Sequence, residues 1–135
     1  MARHASPIPT EGELAILQVL WQEGPATVRD VHNRLADQRQ NLGRETGYST
    51  TLKMMQLMTD KGLLARDESV RPQMYRPVDP AEKTQLRLLD NLVEKGFGGS
   101  AMRLVLRAAA AKRITREELA EIRKLIEKGS DHEHP

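Results

Sequence analysis

Ser49, Thr50, Lys53 and Gln56 stand close together in Thr46–Leu64, a stretch that reads TGYSTTLKMMQLMTDKGLL. Thr51, Met55, Met58 and Gly62 recur within it at i, i+4, i+7 and i+11, the spacing of one helical face. That face is expected to point inward. Ser49, Lys53, Gln56 and Asp60 then fall on the opposite face, flanked by Thr50 and Leu57. Hydroxyl and amide side chains both donate and accept hydrogen bonds, and a lysine reaches guanine or phosphate. A ridge of this chemistry on a half-buried helix suits the major groove of duplex DNA. Arg44 and Thr46 before the helix, and Arg66 and Arg71 after it, extend the candidate contact set. Taken alone, the same pattern also fits an ordinary amphipathic helix with a solvated face, so the flanking sequence has to decide.

The flanks supply the elements that would position such a helix. Thr10-Glu11-Gly12-Glu13 is a capping box for a first helix running to about Gln22. Its predicted inner stripe is Leu14, Leu17 and Trp21, widened by Ile16 and Leu20. Gly24-Pro25 stops it. Thr27 caps a second helix, with Asp30 at the third position and Val28, Val31 and Leu35 spaced for burial. The polar run Asp37–Thr46 is expected to connect to the central helix, with Thr46 as its cap. Leu63–Glu68 reads as a strand, Ser69–Gln73 as a turn around Pro72, and Met74–Val78 as the returning strand. Three helices and a hairpin predict a winged helix-turn-helix over residues 1–79.

From Asp79 the pattern is helical again. Asp79-Pro80-Ala81-Glu82 combines an Asp cap, a first-turn proline and a glutamate. The helix that follows carries Leu86, Leu89 and Val93 and ends at Gly96-Phe97-Gly98-Gly99. Ser100 caps another helix through Arg113, which contains Leu104. Thr115-Arg116-Glu117-Glu118 is a further capping box, after which Leu119, Ile122 and Ile126 line the last helix. Residues 80–128 are thus three short helices with one apolar stripe each, too little to bury a core unaided. The expectation is a second copy of the chain, with Leu86, Leu89, Val93, Leu104, Leu119, Ile122 and Ile126 at the dimer contact. Residues 129–135 are expected to form a disordered tail. The fold class is mainly α with a small β-wing.

Composition narrows the chemistry. The 135-residue chain has no cysteine, which removes disulfides, thiolate metal sites and thiol catalysis together. His132 and His134 flank Glu133 without a third ligand, so no metal site is expected. Gly96–Gly99 lacks the lysine and preceding strand of a phosphate loop and reads as a helix end. Ser49, His32 and Asp30 are each explained as helix surface or cap, leaving no catalytic constellation, no enzyme activity and no cofactor. His32 itself is expected at the surface or in a satisfied packing contact. Residues 1–79 hold ten basic and ten acidic side chains, so DNA binding requires segregated charge; Arg39, Arg44, Lys53, Arg66, Arg71 and Arg76 fall in its later part. No window approaches a membrane span and the N-terminus has no apolar core of a signal peptide, so a cytoplasmic protein is expected.

Across about residues 10–128 the sequence resembles the penicillinase-repressor and methicillin-resistance-repressor family of winged-helix regulators. The resemblance rests on Glu13-Leu14-Ala15-Ile16-Leu17 through Trp21, Tyr48-Ser49-Thr50-Thr51 with Lys61-Gly62-Leu63-Leu64, and Tyr75-Arg76-Pro77. Phe97-Gly98-Gly99-Ser100 and Glu117-Glu118-Leu119 complete it. It implies a homodimeric repressor on a palindromic operator, with Ser49, Thr50 and Lys53 where the family reads bases or phosphates, and Arg66 and Arg71 near its wing. A membrane-bound sensor peptidase acting on the repressor is the partner it implies in members that respond to β-lactams. Those members are cut at an Asn-Phe bond near the dimer helices, and this sequence has no such pair. The copper-responsive branch uses C-terminal cysteines, which are also absent. A rival reading keeps the winged helix as a scaffold that does not read DNA, with the C-terminal helices binding a partner protein.

Overall fold

The structure is a computed structural model and describes residues 8–40 and 47–133. Thr10 opens α1 (Glu11–Glu23) with a complete capping box: its hydroxyl accepts from the Glu13 amide at 3.2 Å, and Glu13 accepts from the Thr10 amide at 2.9 Å. Gly24 closes the helix. The buried face is Ile16, Leu17, Val19 and Leu20, whereas Leu14 and Trp21 are only partly covered. The stripe is therefore turned from the expected one. The shift follows from several neighbours rather than one packing on the helix, since α1 contacts β2 (Met74–Pro77) as well as α2 (Val28–Gln40) and the third helix.

Thr27 and Asp30 cap α2 reciprocally, with Asp30 donating its amide to the Thr27 hydroxyl at 3.1 Å. Val28, Val31 and Leu35 are buried as expected. The helix continues through Asp37–Gln40, which the sequence reading gave to the connection. Gln and Arg are good helix formers and need no apolar partner to prolong an existing helix. Residues 41–46, and with them Arg44 and Thr46, lie outside the described residues.

The third helix, α3 (Tyr48–Asp60), packs on α1 and α2 and leads into β1 (Leu64–Asp67), which pairs antiparallel with β2 from Leu64↔Pro77 to Asp67↔Met74. Ala26 adds a one-residue bridge: its amide donates to the Tyr75 carbonyl at 3.1 Å and its carbonyl accepts from the Tyr75 amide at 2.8 Å. Tyr75 is buried, so the hairpin is stapled to the helices at its returning strand. Ile16, Leu17 and Leu20 of α1, Val31 and Leu35 of α2, Met55 and Met58 of α3, and Leu64 of β1 fill the core between them. Each such side chain contributes about 1.5–3 kcal/mol on burial. The sum is what fixes three short helices that would be marginal alone. This is a winged helix-turn-helix.

The chain divides into two compact units, Met1–Leu88 and Leu89–Pro135. The division falls later than the expected 79/80 boundary, within α4 (Ala81–Gly96). The opening of α4 is held within the first unit. Trp21 Nε1 donates to the Asp79 carbonyl at 3.1 Å, Arg87 donates to the Asp79 carboxylate at 3.1 Å, and Thr84 is buried. Asp79 thus serves as an ion-pair partner for Arg87 and Lys83, where the sequence suggested a helix cap.

In the second unit, Gly98 and Gly99 take positive φ and the Gly99 amide closes onto the Val93 carbonyl at 2.9 Å, which makes the expected turn after α4. Ser100 caps α5 (Ala101–Ala110) through the Arg103 amide. The helix stops before Arg113, because Lys112 adopts φ 59° while Lys112 and Arg113 donate back to Ala109 and Ala108. That is a Schellman-type end with lysine in the position glycine usually takes. The Thr115–Glu118 capping box opens α6 (Arg116–Glu133), which runs past Lys128 into the segment expected to be a disordered tail. Among the described residues of this unit only Val93 is buried.

Candidate nucleic-acid interface

The inner face of α3 is Thr51, Met55 and Met58, each at most 2% exposed. Ser49, Thr50, Lys53, Gln56, Leu57 and Asp60 are all exposed on the other side, as the periodicity predicts. Lys53 has no ion-pair partner among the described residues, so its ammonium is available to an outside ligand. Leu57 is 49% exposed beside it, an apolar edge on an otherwise polar ridge.

Both ends of α3 are pinned. At the C-terminal end Gly62 takes φ 87°. Its amide donates to the Thr59 carbonyl at 3.1 Å and the Leu63 amide to the Met58 carbonyl at 2.9 Å, with Leu63 buried. Gly62 therefore closes the helix, as the glycine before the first strand of the hairpin is expected to. The adjacent Lys61 ammonium donates to the Glu13 carboxylate at 2.6 Å. Burial is the largest influence on Glu13 and raises its pKa. The Lys61 hydrogen bond and the Thr10 amide outweigh it, and the net direction is below the ordinary carboxylate value.

At the N-terminal end Gly47 occupies the cap position and offers no side chain, and the Thr50 and Thr51 amides donate to its carbonyl. Side chains of α2 hold this end instead. His32 Nδ1 and Thr51 Oγ1 share a hydrogen bond at 3.1 Å, the His32 ring meets Tyr48 edge to face at 5.7 Å, and the Arg29 guanidinium lies 4.0 Å from the Tyr48 ring centroid. His32 is thus a satisfied packing histidine. Arg29 carries no signal in the sequence, and Glu13, Tyr48 and Lys61 stand there only as a cap and as members of longer motifs. Their contacts run between helices, and no local spacing encodes them.

The wing projects Arg71 into solvent and holds Arg66 closer in. Arg66 Nε and Nη2 lie 3.2 and 3.1 Å from one oxygen of Glu68. Asp67 shapes the turn by accepting from the Ser69 hydroxyl at 2.6 Å and the Ser69 amide at 2.9 Å. Those two bonds, the hydroxyl's first, lower its pKa.

A family model described as penicillinase repressor matches residues 9–128. The chain belongs to that family. Penicillinase repressors are transcriptional regulators rather than enzymes, and the match runs through both units. No curated protein matches the sequence. Among solved structures, a MarR family protein from Bacillus stearothermophilus is similar at 22% identity, over 92% of this chain and 74% of that one, with a TM-score of 0.48. No described helix is long and apolar enough to cross a membrane.

The candidate dimer residues of this penicillinase-repressor relative differ in exposure. Leu86, Leu89, Leu119 and Ile126 are 57%, 41%, 41% and 62% exposed, and Leu104 and Ile122 are half-buried. Val93 is the exception at 8%, because its own chain covers it. It is an internal anchor of its unit and no open surface.

Proposed function

We propose that the protein is a sequence-specific DNA-binding repressor acting as a homodimer on a palindromic operator. The observation that carries this reading is the ridge Ser49, Thr50, Lys53 and Gln56, exposed on a helix whose buried face and both ends are fixed. Base readout needs side chains held in register before contact, and α3 has that preorganisation. Arg71 and Arg66 on the wing would add phosphate contacts that position the protein without reading sequence. The homodimer reading is supported by Leu89, Leu119, Leu125 and Ile126, large apolar side chains left open on helices that bury almost nothing. The site of action is the cytoplasm. A sensor peptidase, if it controls release, would cut at a bond other than Asn-Phe, which the chain lacks.

The test is selection of duplexes from a random pool by the full chain, followed by binding at two salt concentrations. A palindromic consensus is expected, and Lys53→Ala should weaken binding by about 1–3 kcal/mol if Lys53 reads a base. Failure to enrich any duplex would favour a winged-helix scaffold with a protein partner.

A further inference from the structure

Arg29 stands exposed in the first turn of α2 and has no ion-pair partner among the described residues. The neighbouring carboxylate, Asp30, is turned to the Thr27 amide instead. An unpaired surface arginine would ordinarily sample many rotamers. This one sits over an aromatic ring, with its guanidinium carbon 4.0 Å from the centre of the Tyr48 ring. Tyr48 is the first residue of α3 and precedes Ser49 and Thr50. The ring is itself fixed, edge to face with His32 at 82°, while His32 bonds to the buried Thr51. A cation is therefore anchored at the end of α3 that carries the two hydroxyls.

Stacking occupies the face of a guanidinium and leaves its N–H edge free in the plane. That edge is the part that binds a phosphate through two parallel hydrogen bonds. We propose that Arg29 is a backbone clamp, seated on Tyr48 and gripping the DNA phosphate that flanks the bases facing Ser49 and Thr50. The inference rests on the operator reading above and adds to it a contact from α2. The competing role is bracing, in which Arg29 only steadies Tyr48 and never touches DNA.

The experiment uses the full chain and a duplex selected by the wild type. Arg29→Gln should flatten the slope of log affinity against log salt by about 0.9 per bound chain. It should also weaken all operator variants by the same factor, while Arg29→Lys keeps the slope. A neutral methylphosphonate scanned along each half-site should weaken the wild type at one position and leave Arg29→Gln unaffected there. An unchanged slope in Arg29→Gln, with or without a lower melting temperature, overturns the clamp in favour of bracing. So does a scan with no position that separates the two proteins. If the wild type enriches no duplex, the operator reading itself fails and the clamp falls with it, an outcome distinct from wild-type binding with an unaltered Arg29→Gln slope.

Discussion

Lys61 Nζ lies 2.6 Å from Glu13 Oε2 and joins the end of α3 to the first turn of α1. The two residues are far apart in sequence. Glu13 also closes the Thr10 capping box, so one carboxylate starts one helix and anchors the end of another. Its side chain is 7% exposed and that of Lys61 is 43% exposed. Water solvates the lysine, whereas the carboxylate depends on its partners.

That dependence gives stability a pH signature. Glu13 has a folded-state pKa below its ordinary value of 4.5. The unfolded chain therefore takes up the proton first as pH falls. The contribution of Glu13 is complete above the unfolded value and is lost as pH drops through the folded one. Glu13→Gln keeps a capping acceptor and removes the charge, and it should cost about 1 kcal/mol at pH 7. Urea midpoints of the two proteins should differ at pH 7 and converge as pH falls through the folded-state value of Glu13. A difference that persists undiminished in acid would show that the charge on Glu13 contributes nothing.

The outer face of α3 was legible because a helical period sorts side chains by itself: Thr51, Met55 and Met58 in, Ser49, Lys53 and Gln56 out. The caps at Thr10, Thr27, Ser100 and Thr115 were legible because each acts within one turn. Contacts that depend on the crossing of two helices were not. Arg29 on Tyr48 and His32 on Thr51 need the relative placement of α2 and α3. The turned stripe of α1 needed knowledge that β2 packs on it as well as α2. Val93 looked like one more member of an open stripe, yet it is 8% exposed where Leu89 is 41% exposed. The passage of α6 beyond Lys128 was missed because Gly129 and the polar residues after it carry no apolar period.

The wing offers a sharper test than removal of its arginines. Arg66 places Nε and Nη2 on the Glu68 carboxylate, with Glu68 itself 63% exposed. An arginine engaged in this way has to leave its partner to reach a phosphate, while Arg71 does not. Arg71→Ala should therefore flatten the salt slope by about 0.9 per bound chain. Glu68→Gln should strengthen DNA binding and steepen the slope, because it releases Arg66 and removes a nearby negative charge. Titrations at several salt concentrations would measure both. Weaker binding by Glu68→Gln would mean that the Arg66–Glu68 pair orders the wing and does not restrain it.

The dimer can be tested without disturbing the fold of either unit. Leu119 and Ile126 are 41% and 62% exposed on α6, so aspartate at these positions meets water in a lone chain. In a dimer it would meet apolar cover. Burying one such aliphatic side chain contributes about 1.5–3 kcal/mol, and losing two in each of two chains exceeds what a modest interface can spare once the entropy of association is counted. The double variant Leu119→Asp, Ile126→Asp should sediment as a monomer at micromolar concentration with its helical circular dichroism retained. It should also lose tight operator binding. Two-fold symmetry would set two copies of α3 about 34–36 Å apart or a multiple of that, and joining them makes the second half-site contact intramolecular. A chain ended after Leu88 provides the complementary measurement. It keeps the Trp21 bond to Asp79 and the Arg87 pair, which a cut at Val78 would remove. It should bind half-site DNA weakly and with strong salt dependence. A full-length wild type that sediments as a monomer at micromolar concentration and still grips a palindromic duplex tightly would refute this architecture.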